Sequence, residues 1–253
     1  MHAKDPYTNC IEKFRIYSSK EQYERIGTRQ VKKFLKSYKV VVTKYVCNEG
    51  VQIINQTKDE GIKPTPSIGG VGLIKDYKKM ITMDFKQVDN IVLVIGKTEG
   101  HIDQSLLARN ILNEKNGPPP EVNLFNEKNN GETVLKLIDA GHIKSAHDVS
   151  IGGIITAVSK MCIKGNKGIN LKKPKYLINE IEYYFGEDQG RYIIEVSKDS
   201  LKKVTDILNK NAVHYDELGT INEDQLFINE KTKVSIDELT TSNTNWLTNY
   251  MSK

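Results

Sequence analysis

His147-Asp148-Val149-Ser150-Ile151-Gly152-Gly153, running straight into Ile154-Ile155-Thr156-Ala157-Val158, is the stretch on which the fold turns. Ile143 to His147 reads as a short strand. Ile154, Ile155, Ala157, Val158 and Met161 recur at helical spacing. A strand, a glycine turn and a helix in that order are the unit from which α/β chains are built. The same turn sets an imidazole, a carboxylate and a hydroxyl beside the free amides of a helix N-terminus, which favour anions and phosphate above all. His147, Asp148, Ser150, Gly152 and Gly153 are therefore candidate nucleotide- or phosphate-binding residues. Asp148 is the candidate magnesium ligand, because hard carboxylate oxygen suits that ion. Residue chemistry alone equally allows a capped helix start, with Ser150 or Asp148 as the N-cap.

Working outward, Phe185-Gly186-Glu187-Asp188-Gln189-Gly190-Arg191 places two carboxylates and a guanidinium on a glycine-bounded turn before a strand at Tyr192 to Val196. A salt-bridged structural turn is the favoured reading of Glu187, Asp188 and Arg191, with ligand contact as the alternative. Upstream, Asn90 to Gly96 predicts a buried strand and Gly100-His101-Ile102-Asp103-Gln104-Ser105 a strand-to-helix loop. Asp103 is the expected N-cap of a helix over Gln104 to Asn113. Asn129 to Ala140 predicts a helix closed by Gly141. Ser200 to Asn209 predicts another, and Val213 to Thr220 and Asp224 to Ile228 the last strands. Near the N-terminus, Val40 to Val42 and Val51 to Ile54 read as short strands. Pro64-Thr65-Pro66 excludes helix and central strand. The expected organisation is a basic segment and domain remnant over 1–72, an α/β domain over 73–231 and a tail over 232–253.

Composition bounds the function classes. The chain has 253 residues, 38% hydrophobic and 27% charged, enough for a full core. No apolar run is long enough to span a bilayer, and Met1 to Asp5 carries no apolar signal region. Three scattered cysteines, Cys10, Cys47 and Cys162, fit a reducing cytoplasm and no zinc spacing. Residues 1–45 carry eleven Lys and Arg against four Asp and Glu, within a net charge of +5. A solvated helix face is the favoured reading of that excess, and no nucleic-acid-binding signature accompanies it. No Walker loop, dinucleotide fingerprint or Ser-His-Asp nucleophile pattern occurs.

Several of these motifs, in order, carry a resemblance. Asn55-Gln56-Thr57 through Pro64-Thr65-Pro66-Ser67-Ile68-Gly69-Gly70-Val71-Gly72-Leu73, then Gly100 to Ser105, then Pro118 to Gly153, then Phe185 to Arg191, and finally Trp246 to Met251 are together similar to one family. It is the larger, synthetase subunit of phosphoribosylformylglycinamidine synthase in its bacterial form, and the likeness is to its C-terminal part. The resemblance covers about residues 46–253. It implies an α/β, two-layer sandwich of the C-terminal domain type of the aminoimidazole-ribonucleotide-synthetase-like family, preceded by a partial domain remnant.

By the same resemblance the family is an ATP-dependent ligase of purine biosynthesis. It uses ATP, magnesium and ammonia to amidate a formylglycinamide ribonucleotide. ATP or ADP with Mg2+ are the implied cofactors, and the glutaminase subunit and a separately encoded N-terminal part of the synthetase the implied partners. The family's first-half catalytic histidine motifs have no counterpart, so no catalytic residue is assigned and the fragment is expected not to turn over alone. Gln104, Ser105, Glu187 and Arg191 are candidate ligand or interface residues. Ile151 stands where the family has Asp, Asp103 where it has Gly, and Gly50, Gln52 and Gln56 where it has Asn, Ser and Glu. These departures leave open a non-catalytic nucleotide-binding or subunit-docking module, or a degraded remnant. A related kinase or cyclo-ligase on the same fold is a further alternative.

Overall fold

The computed structural model describes residues 74, 76–114, 116–172, 176, 178–229 and 231–252, with the backbone of 41–42, 56–57, 60–61 and 70–71. The expected strand at 51–54 and most of the basic segment lie outside the described residues. The chain divides into two units, Met1–Lys75 and Asp76–Lys253. In the first, Val41–Val42 pairs antiparallel with Gly70–Val71, and Gln56–Thr57 with Glu60–Gly61.

The second unit is built on one seven-stranded sheet. Its strands are β1 (Ile91–Ile95), β2 (Ser145–Val149), β3 (Gly168–Leu171), β4 (Arg191–Val196), β5 (Tyr215–Asn222), β6 (Gln225–Ile228) and β7 (Thr232–Ser235). They run in the order β7-β6-β3-β5-β1-β4-β2, antiparallel throughout except where β6 meets β3. The helices are α1 (Leu124–Asp139), α2 (Gly153–Gly165), α3 (Glu180–Phe185), α4 (Lys198–Lys210) and α5 (Ile236–Met251).

Alternation along the central strands explains the layering. Val92 and Val94 of β1 join Ile193 of β4 in a core with Ile154, Val158 and Met161 of α2 and Tyr183 and Tyr184 of α3. Leu93 and Ile95, with Ile194 and Val196, pack instead against Val134 and Leu137 of α1 and Val204 and Leu208 of α4. Successive residues of a strand point to opposite faces, so a run buried at every position needs cover on both. The α/β class expected from the sequence holds. The helices lie on both faces, giving a helical layer on each side of the sheet where a two-layer sandwich was expected.

Local chemistry sets the element ends. Asn123 accepts the amide of Asn126 at 3.0 Å, so α1 begins at Leu124, earlier than the apolar pattern indicates. Gly141, at φ +69°, ends it, and the His142 amide reaches back to the Leu137 carbonyl. Asp103 is not the N-cap of the next helix. Gln104 turns at φ +61°, and the buried Ser105 accepts the Ala108 amide through Oγ at 3.1 Å, so helical structure starts at Leu106 and continues as a π-helix over Ala108–Leu112. Residues 232–251, expected as a tail, form β7 and α5, the latter opened by a reciprocal capping box between Ser235 and Glu238.

Candidate functional site

Two loops separated by most of a hundred residues close on each other at the start of β4. Asp188 accepts backbone amides from Glu99 at 3.2 Å and Gly100 at 3.0 Å through Oδ2, and from His101 at 3.1 Å through Oδ1. Arg191, 1% exposed, braces it from behind, with a terminal nitrogen 3.5 Å from Oδ2. The same nitrogen donates to the Thr98 hydroxyl, the other terminal nitrogen to the Gly186 carbonyl and Nε to the Asp188 carbonyl. Burial pulls the Arg191 pKa down, and the Asp188 carboxylate works against that shift. The Glu187 amide completes the closure by donating to the His101 carbonyl at 2.8 Å. The structural-turn reading of Asp188 and Arg191 describes these contacts. What spacing could not reveal is that the turn's acid shapes the 99–101 loop.

Glu187 has a separate task. Its Oε1 accepts the amides of both Leu106 at 2.7 Å and Gly152 at 2.8 Å. The glycine turn ahead of α2 therefore already holds a carboxylate. Gly152 and Gly153 have φ of +83° and +69°, and a side chain at Gly153 would come within 2.7 Å of the Tyr184 and Gly186 carbonyls. Gly153 lets the turn pack against the end of α3, and at Gly152 a side chain would run into Thr156 of α2. No side chain caps α2, so neither Ser150 nor Asp148 serves as its N-cap. Ser150 is exposed.

The residues singled out by sequence thus separate into two groups. Gln104, Ser105, Glu187, Arg191, Gly152 and Gly153 meet at one junction, with Gln104 also donating to the Gly117 carbonyl at 3.2 Å. His147 and Asp148 lie on β2, the edge strand, facing opposite ways. Val149 faces the α2 side with His147, whereas Asp148 shares its face with Ala146 and the cross-strand Tyr192. The Asp148 side chain is 64% exposed and contacts the His147 Nδ1 at 3.0 Å, while the His147 Nε2 is buried with no partner among the described residues.

A cavity of about 680 Å³ opens beside the shaped loop, with Glu99, His101 and Asp103 on one side and Glu127 and Asn130 of α1 on the other. His101 is held by its Nε2 contact to the Pro118 carbonyl at 3.0 Å, and Asn130 donates to the Gly190 carbonyl at 2.9 Å. Glu127 is half-buried, and desolvation pushes its pKa up. Tyr192 is also raised, first by burial and then by the negative charges of Glu127 and Asp148. Glu127 lies within the 118–153 segment but carries no chemical signature there, and an acid in the first turn of a helix gives no sign that it lines a cavity. Cys162, pushed up to about 12 by burial, is a core thiol.

Among the described residues, no group of three or more His, Cys, Asp or Glu could hold a metal ion. The residues therefore do not form a metal cage of their own. The Asp148 carboxylate is exposed and stands alone on the edge strand, with His147 as its neighbour. No described helix is long and apolar enough to cross a membrane.

The sheet, its two helical layers and the paired loops define a family. The chain belongs to the AIR synthase related protein, C-terminal domain family, whose model matches residues 87–229. Over 206 residues, 81% of this chain, it is 73% identical to the phosphoribosylformylglycinamidine synthase subunit PurL of Pelagibacter ubique (strain HTCC1062). The PurL subunit of Bartonella bacilliformis is 37% identical over the same length. The chain spans 28% of the length of each of these curated relatives. Among solved structures, T. maritima PurL complexed with FGAR superposes with a TM-score of 0.56 at 18% identity, covering 65% of this chain and 30% of that one. T. maritima PurL complexed with ATP gives 0.52 at 17% identity, covering 65% and 28%. At such identities these likenesses concern the fold.

Proposed function

We propose that this chain serves as the C-terminal α/β portion of a phosphoribosylformylglycinamidine synthase synthetase subunit, in the cytoplasm, and that it does not turn over alone. In this reading residues 1–72 are the remnant of a preceding ATP-handling domain, 73–231 the α/β domain and 232–253 its tail. The reaction is the ATP-dependent amidation of formylglycinamide ribonucleotide. ATP phosphorylates the formyl amide oxygen and ammonia displaces the phosphate. Such chemistry depends on positioning and electrostatics more than on covalent side-chain steps. The chain would supply one wall of the site, with the loop at 99–103 facing the ligand. Magnesium, when held by nucleotide phosphates, neutralises their charge, and Asp148 is the carboxylate available to it. The rest of the synthetase and the glutaminase subunit are the proposed partners.

One observation carries the reading. The Gly100–Ser105 and Phe185–Arg191 motifs, which have no reason to meet in an arbitrary α/β chain, are joined through Asp188 at the edge of a cavity. The test is an assay of the purified chain with ammonia, ATP and formylglycinamide ribonucleotide. No product is expected from the chain alone, and turnover when the remaining part of a PurL relative is added. Product without that addition overturns the claim of dependence. A complex that forms but stays inactive overturns the assignment.

A second reading, a non-catalytic nucleotide-binding or docking module, is favoured by one contact. Glu187 already occupies the Gly152 amide that a phosphate would use. Calorimetry with ADP and magnesium separates the two forms of this module. Micromolar binding indicates a retained nucleotide site, and no heat indicates docking alone.

A further inference from the structure

Asparagine stands directly before glycine at two places in the chain, Asn116-Gly117 and Asn130-Gly131. That pair has a chemistry of its own. A glycine amide nitrogen has no side chain beside it, so it can reach the side-chain carbonyl carbon of the preceding asparagine and close a five-membered ring. The structure treats the two pairs in opposite ways.

Asn130 lies within α1, is 7% exposed and donates its side-chain NH2 to the Gly190 carbonyl at 2.9 Å. The Gly131 amide that follows is inside the helix, where it points along the axis to the carbonyl four residues back. Ring closure would need that amide to turn towards the Asn130 side chain, and the helix prevents the turn. Asn116 is exposed and belongs to no helix or strand. Its side chain bonds to no described residue, and the Gly117 amide donates to none. Pro118, Pro119 and Pro120 come next, and proline keeps the residue before it out of helix, so the pair stays outside any regular element.

Glycine is required at 117. Its φ is +109°, and a Cβ there would lie 2.5 Å from Cγ of Asp103. The packing that seats this segment against the 101–104 loop therefore demands the very residue that makes Asn116 reactive.

We propose that Asn116 is a site of spontaneous deamidation whose product loosens the wall of the cavity. Solvent base takes the Gly117 amide proton, and the nitrogen attacks Cγ of Asn116. The bond from Cγ to the side-chain nitrogen breaks, and that nitrogen takes up a proton and leaves as ammonia. Water then opens either carbonyl of the ring, giving aspartate or isoaspartate. Both place a carboxylate where a neutral amide stood, next to the glycine on which the Asp103 carboxyl group packs. Isoaspartate also lengthens the main chain by one methylene. The contacts just beyond the altered bond are those of the wall itself, from Gln104 to the Gly117 carbonyl at 3.2 Å and between His101 Nε2 and the Pro118 carbonyl at 3.0 Å. His101 and Asp103 line the cavity.

The full chain is held in mildly alkaline buffer, which favours loss of the amide proton, and sampled over days. Lys115, Lys128 and Lys136 place the two sites on separate tryptic peptides for mass spectrometry. The expected result is a gain of about one mass unit at Asn116, at least about tenfold faster than at Asn130. Unfolding in urea should bring the two rates together, because only the helix and the Gly190 contact hold Asn130 back. Asn116→Gln should abolish the gain, since its larger ring closes far more slowly. In the deamidated fraction, separated by ion exchange, amide exchange over 101–105 should quicken. No gain at Asn116 while a synthetic peptide of residues 112–121 deamidates overturns the proposal, as do equal rates at the two sites in the folded chain. A gain that persists in Asn116→Gln places the chemistry at Asn123 or Asn126 and overturns it as well. Unchanged exchange over 101–105 overturns the effect on the wall.

Discussion

At one end of β4 the Arg191 guanidinium is 1% exposed and shares the Asp188 carboxylate with three loop amides. At the other end Glu195 is fully buried and has no cationic partner among the described residues. Its Oε1 accepts the Gln87 amide and the Asn90 side-chain amide, and its Oε2 the Lys86 amide and the Ser145 hydroxyl, at 2.7 to 3.1 Å. Both ends bury a charge, which is tolerable only when the hydrogen-bonding capacity is met. The first end meets it with an opposite charge three residues away on the same turn, and that carboxylate in turn shapes the 99–101 loop on the cavity wall. The second meets it with neutral donors that fix the 86–90 segment to the sheet, away from the cavity. A buried charge is thus no guide to function by itself. What it organises decides.

The comparison breaks most readily at Asp188. Asp188→Ala strands a buried guanidinium and frees three amides, and should cost about 3–5 kcal/mol in urea unfolding. Faster amide exchange is expected over 99–101. A loss below about 1 kcal/mol would show that Arg191 finds enough partners in the carbonyls alone.

Glu195→Gln should come next, at about 2 kcal/mol. Either amide orientation turns an NH2 group towards the backbone amide of Lys86 or Gln87, because each carboxylate oxygen now receives one of them. Hydrogen-exchange mass spectrometry should place the change at 84–90 and leave 99–101 untouched. A change at both ends would mean that β4 transmits strain and that the two ends are one unit.

A smaller effect belongs to Glu187, which ties Leu106 to Gly152. Glu187→Gln keeps an acceptor and loses the charge at the start of α2, so about 0.5–1 kcal/mol is expected by thermal unfolding. A larger loss would give this acid the same structural weight as Asp188.

The smallest effect is pH-dependent. Desolvation raises the Glu127 pKa, so the folded state binds this proton more tightly than the unfolded chain does. Its ionised form therefore costs stability, and stability falls as pH rises from the ordinary carboxylate range through the raised value. Glu127→Gln should melt slightly higher at neutral pH, with the advantage disappearing as the medium is acidified below that range. A variant that melts lower at neutral pH would reveal an attractive partner for the carboxylate.

The strand–turn–helix at 145–165 was legible because apolar period and glycine punctuation are local. The turn at 185–191 was legible for the same reason. Glu195 was not, since an acid within a strand has the spacing of a solvent-facing residue. The cap at 103–105 was misread because Asp is a good cap in general, whereas the backbone turn at Gln104 delays the helix until Ser105 is in position. The anion-binding reading of Gly152 and Gly153 was sound helix-terminus chemistry. The acid that meets Gly152 comes from 35 residues away, in the 185–191 turn, and nothing local to either motif says that the two pair.

By itself the sequence determined the α/β class, the major strands and helices of the second unit, and the resemblance carried by its ordered motifs. These follow from periodicity, capping and glycine placement, which act over a few residues. Only the tertiary structure decided that helices cover both faces of the sheet, that Asp188 folds the loop at 99–101, and that Glu187 fills the turn ahead of α2. Those outcomes depend on which distant groups arrive together to satisfy buried charges and amides, and chain topology alone sets that.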